Sequence, residues 1–285
     1  MSETDNTPIV EVSNLKKVFK DFWGREKVTA LHDVSMSIHK KEVCALIGPN
    51  GSGKTTLVKI LLGLLFPTSG GAQVFGQNCF DISNKYRIGF LAEENCFYKH
   101  LSGEETLNFY GKLLNLPYVE RRDRVQELLK LVGMEHAAKR PLGEYSLGML
   151  RRIGIAQALL ADPELLILDE PTNGLDPLGI EEVHNLILSL KERGKAILIS
   201  THLLAESDAI CDQLILLHQG HVLAEGKTDQ LHQDYGTNSM KEIFLKLVKK
   251  SNSERAADIE ASLPEQDQNE PPSGPDQNYL DQLSK

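Results

Sequence analysis

Tryptophan occurs once in the 285 residues and cysteine only four times. Cys44, Cys79, Cys96 and Cys211 are scattered without CxxC spacing. That usage fits structural thiols in a reducing compartment and argues against a disulfide framework or a zinc site. Basic residues are too few to outweigh the acids, 31 against 40, and the net charge is −9. A strongly basic nucleic-acid-binding surface is therefore not expected, although a local basic groove stays open. No apolar run approaches the roughly 18–20 residues that span a bilayer. The nearest, residues 60–66, has the length of one short helix face. The opening MSETDNTP is polar and lacks the apolar core of a signal peptide. These absences predict a cytosolic chain that reaches a membrane only through a partner.

What is present suffices for a core. Hydrophobic residues make up 41% and charged residues 25%, enough for one large domain or two modest ones. The charge is unevenly placed. Residues 251–285 hold eight acids and two bases, so −6 of the −9 sits there and the body is nearly neutral. That segment is rich in Pro, Gln, Asp and Asn and poor in large apolar side chains. It buries too little surface to offset its ordering entropy, which predicts a disordered acidic tail over 251–285. Just before it, Ile243, Phe244, Leu247 and Val248 share one side of SMKEIFLKLVKK, predicting an amphipathic helix within 236–250 that packs back on the core.

The order of patterns along the chain predicts an α/β fold. Alternation over residues 9–12 and 28–38 reads as antiparallel strands with one wet face. EVCALI at 42–47 reads as a buried strand, followed by a helix over 54–65. Residues 94–160 are helix-rich, with helices at 103–116, 120–132 and 146–160. From there strands at 165–168, 196–200, 213–217 and 221–224 alternate with a helix at 177–193. The expectation is an α/β core with an N-terminal antiparallel β subdomain and an inserted α-helical subdomain.

Gly48-Pro49-Asn50-Gly51-Ser52-Gly53-Lys54-Thr55, followed by Thr56, matches GxxxxGK[ST] between a strand and a helix. Glycines let backbone N–H groups converge on an anion, and the helix adds its positive N-terminal end. Lys54 is a point charge for β and γ phosphates, and Thr55 offers a hydroxyl to Mg²⁺. The apolar run 165–168 ends in Asp169-Glu170, at the strand end where open α/β sheets place ligands. Asp169 is suited to hold Mg²⁺ and Glu170 to act as general base. Together the two motifs indicate a phosphate-loop NTPase with a RecA-like core.

Further motifs narrow the class. Tyr145-Ser146-Leu147-Gly148-Met149 looks like the signature motif of ATP-binding-cassette (ABC) ATPases, usually LSGGQ. Asn173-Gly174-Leu175-Asp176 resembles their D-loop and Ser200-Thr201-His202 their switch histidine. Residues 88–93 sit where the family has its Q-loop, with Glu93 in place of glutamine. Phe19 matches the adenine-stacking aromatic, with Phe22 and Trp23 as alternatives. The resemblance covers about residues 8–230 and implies an ATPase domain over 8–235, with the helical subdomain at about 94–160. It implies ATP and Mg²⁺ as cofactors and Lys54, Glu170 and His202 as catalytic groups. Residues 48–56, Phe19, Ser146, Gly148 and Asp176 would bind nucleotide, and Thr55, Asp169 and Glu93 would hold the metal. Leu147 and Met149 depart from the usual residues, as does Glu93.

The family's site is shared between two ATPase units, and this chain holds one. The resemblance therefore implies an ATPase dimer, either a homodimer or a pair with a related subunit, closing on ATP. It also implies an integral membrane permease as a separate partner, with the ATPase peripheral on the inner face of the cell membrane. The YSxGM signature and the EIFLKLV segment resemble ATPases of multidrug, lipid or polysaccharide exporters, which favours export. The alternatives are a soluble ribosome- or DNA-associated ABC ATPase and a regulatory scaffold. The short spacing between phosphate loop and signature, without a heptad run, argues against the DNA-associated class.

Overall fold

Two sheets share one apolar layer. In the computed structural model, which describes residues 7–94 and 96–262, the elements run in the following order. First come β1 (Val10–Lys20), β2 (Glu26–Ile38), β3 (Val43–Ile47), α1 (Lys54–Leu61), β4 (Ser69–Val74), β5 (Gln77–Asn78) and β6 (Ile88–Leu91). A helical stretch follows, with α2 (Gly103–Leu113), α3 (Tyr118–Leu131) and α4 (Leu147–Ala158). Then come β7 (Leu165–Asp169), α5 (Pro177–Glu192), β8 (Ala196–Thr201), α6 (Leu204–Ile210), β9 (Gln213–His218) and β10 (His221–Lys227). Last are α7 (Thr228–Tyr235) and α8 (Met240–Ser262).

The smaller sheet has the order β2-β1-β4-β5 and its pairs are antiparallel. The larger has the order β10-β9-β3-β8-β7-β6, parallel except for the β10 edge. Its central strands are buried on both faces, which is why they read as unbroken apolar runs. Side chains alternate between two cores. Cys44, Leu46, Leu165, Ile167 and Leu198 face the layer shared with the smaller sheet and α1. Val43, Ala45, Ile47, Leu166, Leu168 and Ile197 face the layer shared with the helical stretch. Each fully buried Leu or Ile contributes ~1.5–3 kcal/mol, so these layers fix the strand ends that carry the site.

Several expected boundaries moved, each for a local reason. The helix expected over 54–65 ends at Leu61. Gly63 takes φ +67°, and its N–H and that of Leu64 return to the carbonyls of Ile60 and Lys59, closing the helix early. The helix expected over 103–116 stops at Leu113 rather than at Pro117. Asn115 adopts φ +58°, and the N–H groups of Asn115 and Leu116 bond the carbonyls of Lys112 and Gly111. The helix expected from residue 120 begins at Tyr118, directly after Pro117.

The C-terminal helix is longer than expected. Met240, Ile243 and Leu247 are buried in the core, as the amphipathic pattern predicts. The helix continues to Ser262, so residues 251–262 are helical where a disordered tail was expected. Residues 263–285, the rest of that expectation, lie outside the described residues. The first compact unit ends at Leu247 and a second begins at Val248. No helix among the described residues is long and apolar enough to cross a membrane.

Candidate functional site

Three neighbouring strands of the larger sheet deliver the site. The phosphate loop follows β3, Glu170 follows β7 and His202 follows β8, and β8 lies between the other two. The loop needs glycine for space as well as for conformation. A Cβ at Gly48 would run into the Leu217 carbonyl oxygen and the Ser52 hydroxyl. Gly53 has φ +110°, and a Cβ there would lie 2.6 Å from the Ala30 carbonyl oxygen. The loop is therefore clamped between β2 and the end of β9. The turn at Gly220 adds a second clamp, since its N–H donates to the Ser52 carbonyl and its own carbonyl accepts from His32 N–H, both at 2.8 Å.

Lys54 is buried, and its Nζ donates to the Gly48 carbonyl at 2.7 Å. The same nitrogen lies 3.7 Å from Glu170 Oε1. The other oxygen of Glu170, Oε2, is 2.9 Å from His202 Nδ1. One buried carboxylate thus stands between the lysine and the histidine. Glu170 reaches this position from a backbone at φ +49°, a left-handed conformation that costs a non-glycine residue about 1–2 kcal/mol. Its N–H is fixed to the Ser200 carbonyl at 2.9 Å.

Asp169 is also buried and accepts a short hydrogen bond from the Ser200 hydroxyl. Burial raises its carboxyl above the ordinary aspartate value; the Ser200 hydrogen bond lowers it, Glu170 raises it and Lys54 lowers it. Ser200 was not singled out from the sequence. The signal was a hydroxyl in an apolar strand whose parallel register sets it opposite Asp169.

The residues present fit a triphosphate with a divalent cation. Ser52 Oγ is buried with no hydrogen-bond partner, a donor aimed into the loop that an anion would satisfy. Thr55 is exposed at the start of α1 and Thr56 is half-buried. Among the described residues no group of three or more His, Cys, Asp or Glu side chains could hold a metal by itself. The Asp169 carboxylate and the Thr55 hydroxyl are oxygen donors of the kind Mg²⁺ takes beside water and phosphate oxygens.

Other expected site residues stand apart. Ser146 caps α4, its hydroxyl accepting from Met149 N–H at 3.3 Å. Asp176 caps α5 in the same way, accepting from Gly179 N–H at 3.0 Å. The side chain of Leu147 packs against Gly174, and that of Leu175 lies over Gly148, so the two motifs touch each other. Among the described residues no hydrogen bond or ion pair joins Ser146, Gly148 or Asp176 to the phosphate loop. Phe19 is 39% exposed with Lys17 Nζ 5.1 Å from its ring centre, while Phe22 and Trp23, 94% and 77% exposed, meet edge to face with ring centres 5.6 Å apart. Glu93 is exposed beyond the end of β6. Arg151, another residue the sequence did not flag, is buried in α4, and its Nη1 donates to the Ala92 carbonyl at 3.1 Å.

Comparison with known proteins agrees with this geometry. Residues 31–173 match the ABC transporter family. An uncharacterized ABC transporter ATP-binding protein of Nostoc sp. is 44% identical over 80% of this chain and 69% of its own. The bacitracin transport ATP-binding protein BcrA of Bacillus licheniformis is 40% identical over 78% of this chain and 71% of its own. Among solved structures, the dimeric post-hydrolysis state of the ATP-binding cassette MJ0796 with ADP and phosphate superposes with a TM-score of 0.69. It is 28% identical and covers 77% of this chain and 98% of that one. A phosphate loop, a buried carboxylate pair and a histidine on adjacent strands, together with these relatives, show that the chain belongs to the ABC transporter family as an ATP-binding, ATP-hydrolysing subunit.

Proposed function

We propose that this subunit powers export through a separately encoded membrane permease, by closing as a dimer on ATP and opening after hydrolysis. The observation that carries the chemistry is the array Lys54–Glu170–His202, with Glu170 in ion-pair range of Lys54 and hydrogen-bonded to His202. In this reading Lys54 exchanges the Gly48 carbonyl for the β and γ phosphates. Thr55 and Asp169 would hold Mg²⁺, with Glu93 as a further oxygen donor, and the ion, when bound, would supply positive charge to the phosphate oxygens. Glu170 takes a proton from the water that attacks the γ-phosphorus, while the bond to the β-phosphate oxygen breaks. His202, oriented by Glu170, contacts the γ-phosphate and registers its loss. Phe19 stacks on adenine.

The dimer reading is supported by what the single chain leaves apart. Ser146, Gly148 and Asp176 lie on capped helix N-termini, which favour anions, yet no hydrogen bond or ion pair among the described residues joins them to their own phosphate loop. A second subunit, identical or related, would bring its copies of these residues onto the nucleotide. The MJ0796 dimer supports pairing. BcrA, whose name assigns it to bacitracin transport, supports a role in transport, and so a position beside a membrane permease.

Glu170→Gln tests the chemistry. Turnover is expected to fall by about 10²–10⁴-fold, with an ATP-bound dimer accumulating in gel filtration. Unchanged turnover would refute Glu170 as the base. Co-purification of an integral membrane protein from solubilised membranes tests the permease partnership, and transport assays in vesicles holding both test direction.

A further inference from the structure

The hairpin joining β1 to β2 ends in two exposed aromatic rings, Phe22 and Trp23, packed edge to face. With the adenine assigned to Phe19, neither ring has a role in the ATPase site. The turn beneath them is internally bonded. Asp21 Oδ1 accepts the N–H groups of Trp23 and Arg25, both at 2.9 Å, and the Asp21 carbonyl accepts that of Gly24 at 3.0 Å. Asp21 Oδ2 pairs with Arg25 Nε at 3.0 Å. In an apolar layer each unsatisfied backbone group is costly, and Trp23, Gly24 and Arg25 bring no unsatisfied N–H. Charge also sets the hairpin apart. Residues 16–28 hold five bases (Lys16, Lys17, Lys20, Arg25 and Lys27) and two acids (Asp21 and Glu26), a net +3. Residues 1–250 sum to −3, so the body outside the hairpin is −6. Lys20 and Lys27, which flank the turn, are both exposed.

We propose that this tip is a lipid-contact site, in which Phe22 and Trp23 enter the headgroup layer of an anionic bilayer while Lys20 and Lys27 lie against its phosphates. Aromatic rings with a polar edge settle at that depth, and cations beside them gain from the negative surface potential. Area favours lipid over protein as the occupant. A stable protein interface takes about 800 Å² from each partner, whereas two aromatic side chains supply about 150–250 Å² apiece. A fluid headgroup layer needs no matching surface and accepts a narrow tip. The contact would hold the ATPase against the bilayer directly, beside any hold exerted by a permease, and it goes beyond the transport reading without depending on it.

Trp23 is the only tryptophan in the chain, so its fluorescence reports the tip alone. Vesicles of phosphatidylglycerol and phosphatidylcholine in equal parts should shift the emission of the full chain to the blue, and brominated acyl chains should quench it. Lys20→Ala and Lys27→Ala should each weaken partitioning by about fivefold, and added salt should act in the same direction. Phe22→Ala should weaken it by about tenfold. An emission unmoved by these vesicles overturns the inference, as does equal partitioning into pure phosphatidylcholine. Emission that answers to ATP and not to vesicles assigns the tip to the base instead. Cosedimentation with vesicles that survives Phe22→Ala combined with Trp23→Ala puts the lipid contact elsewhere and refutes this one. A shift seen with native membranes but not with pure lipid identifies a protein partner, and the lipid site is then wrong.

Discussion

Burial pushes the Asp169 carboxyl up, the Ser200 hydroxyl pulls it down, and Glu170 pushes it up again. The folded-state pKa therefore lies above the ordinary value of 3.8. As pH rises through that interval, the unfolded chain releases this proton before the folded one does, and stability falls. At neutral pH ionised Asp169 is a destabilising residue kept for its chemistry, a trade common at functional sites. Asp169→Asn should therefore raise the melting temperature of the nucleotide-free protein by a few degrees at pH 7, with little gain near pH 3. The same variant should lose Mg²⁺-dependent nucleotide binding. A melting temperature below wild type at pH 7 would show that the carboxylate is net stabilising instead. The sequence pointed to Asp169 and Glu170 because an apolar strand ending in two acids is conspicuous. It gave no role to Ser200 or Arg151, whose partners, the Asp169 carboxylate and the Ala92 carbonyl, lie far off in the chain and meet them only in the fold.

At the scale of single elements, the strands buried on both faces are legible in the sequence, whereas β1 runs on to Lys20, well past the expected 9–12, and β4, β5 and β6 carry no comparable apolar run. A strand buried on both faces leaves an apolar run, and β3, β7 and β8 were placed to within a residue or two. Helix ends depend on backbone closure instead. Gly63 and Asn115 stop their helices while leucines continue past them (Leu64 and Leu65, then Leu116), so the apolar pattern overran both ends. Helix α8 failed in the opposite sense. SNSERAADIEAS, residues 251–262, has no apolar stripe, and composition alone gave no reason to continue the helix. Helix α2 offers a clean test of local signals. Ser102 and Glu105 form a reciprocal cap, with Ser102 Oγ accepting from Glu105 N–H and Ser102 N–H donating to Glu105 Oε2 at 2.9 Å. Ser102→Ala should cost about 1 kcal/mol of unfolding free energy, measured by denaturant titration, while ATP affinity stays at the wild-type value. These bonds hold the Glu105 carboxyl below its usual range, so the contribution of Glu105 is present above its unfolded pKa and fades as pH falls through the folded one.

Across the whole molecule, the layering followed from the order of patterns, and the site's general position followed from the layering. What the linear order hid is the sequence of strands in space. The chain makes β3, then β7, then β8, but the sheet places β8 between β3 and β7. During synthesis a ribosome-bound chain that has emerged only as far as Glu170 holds the phosphate loop and both acids, yet the strand that must separate β3 from β7 is missing. Nucleotide therefore has nothing to stabilise until β8 inserts, and early folding must proceed on burial alone. Nascent chains arrested with residue 175 just outside the exit tunnel should gain no protease protection from Mg²⁺–ATP. Chains arrested with residue 240 outside should gain it. Protection at the shorter length would mean that the first half of the fold assembles a binding loop without its central strand.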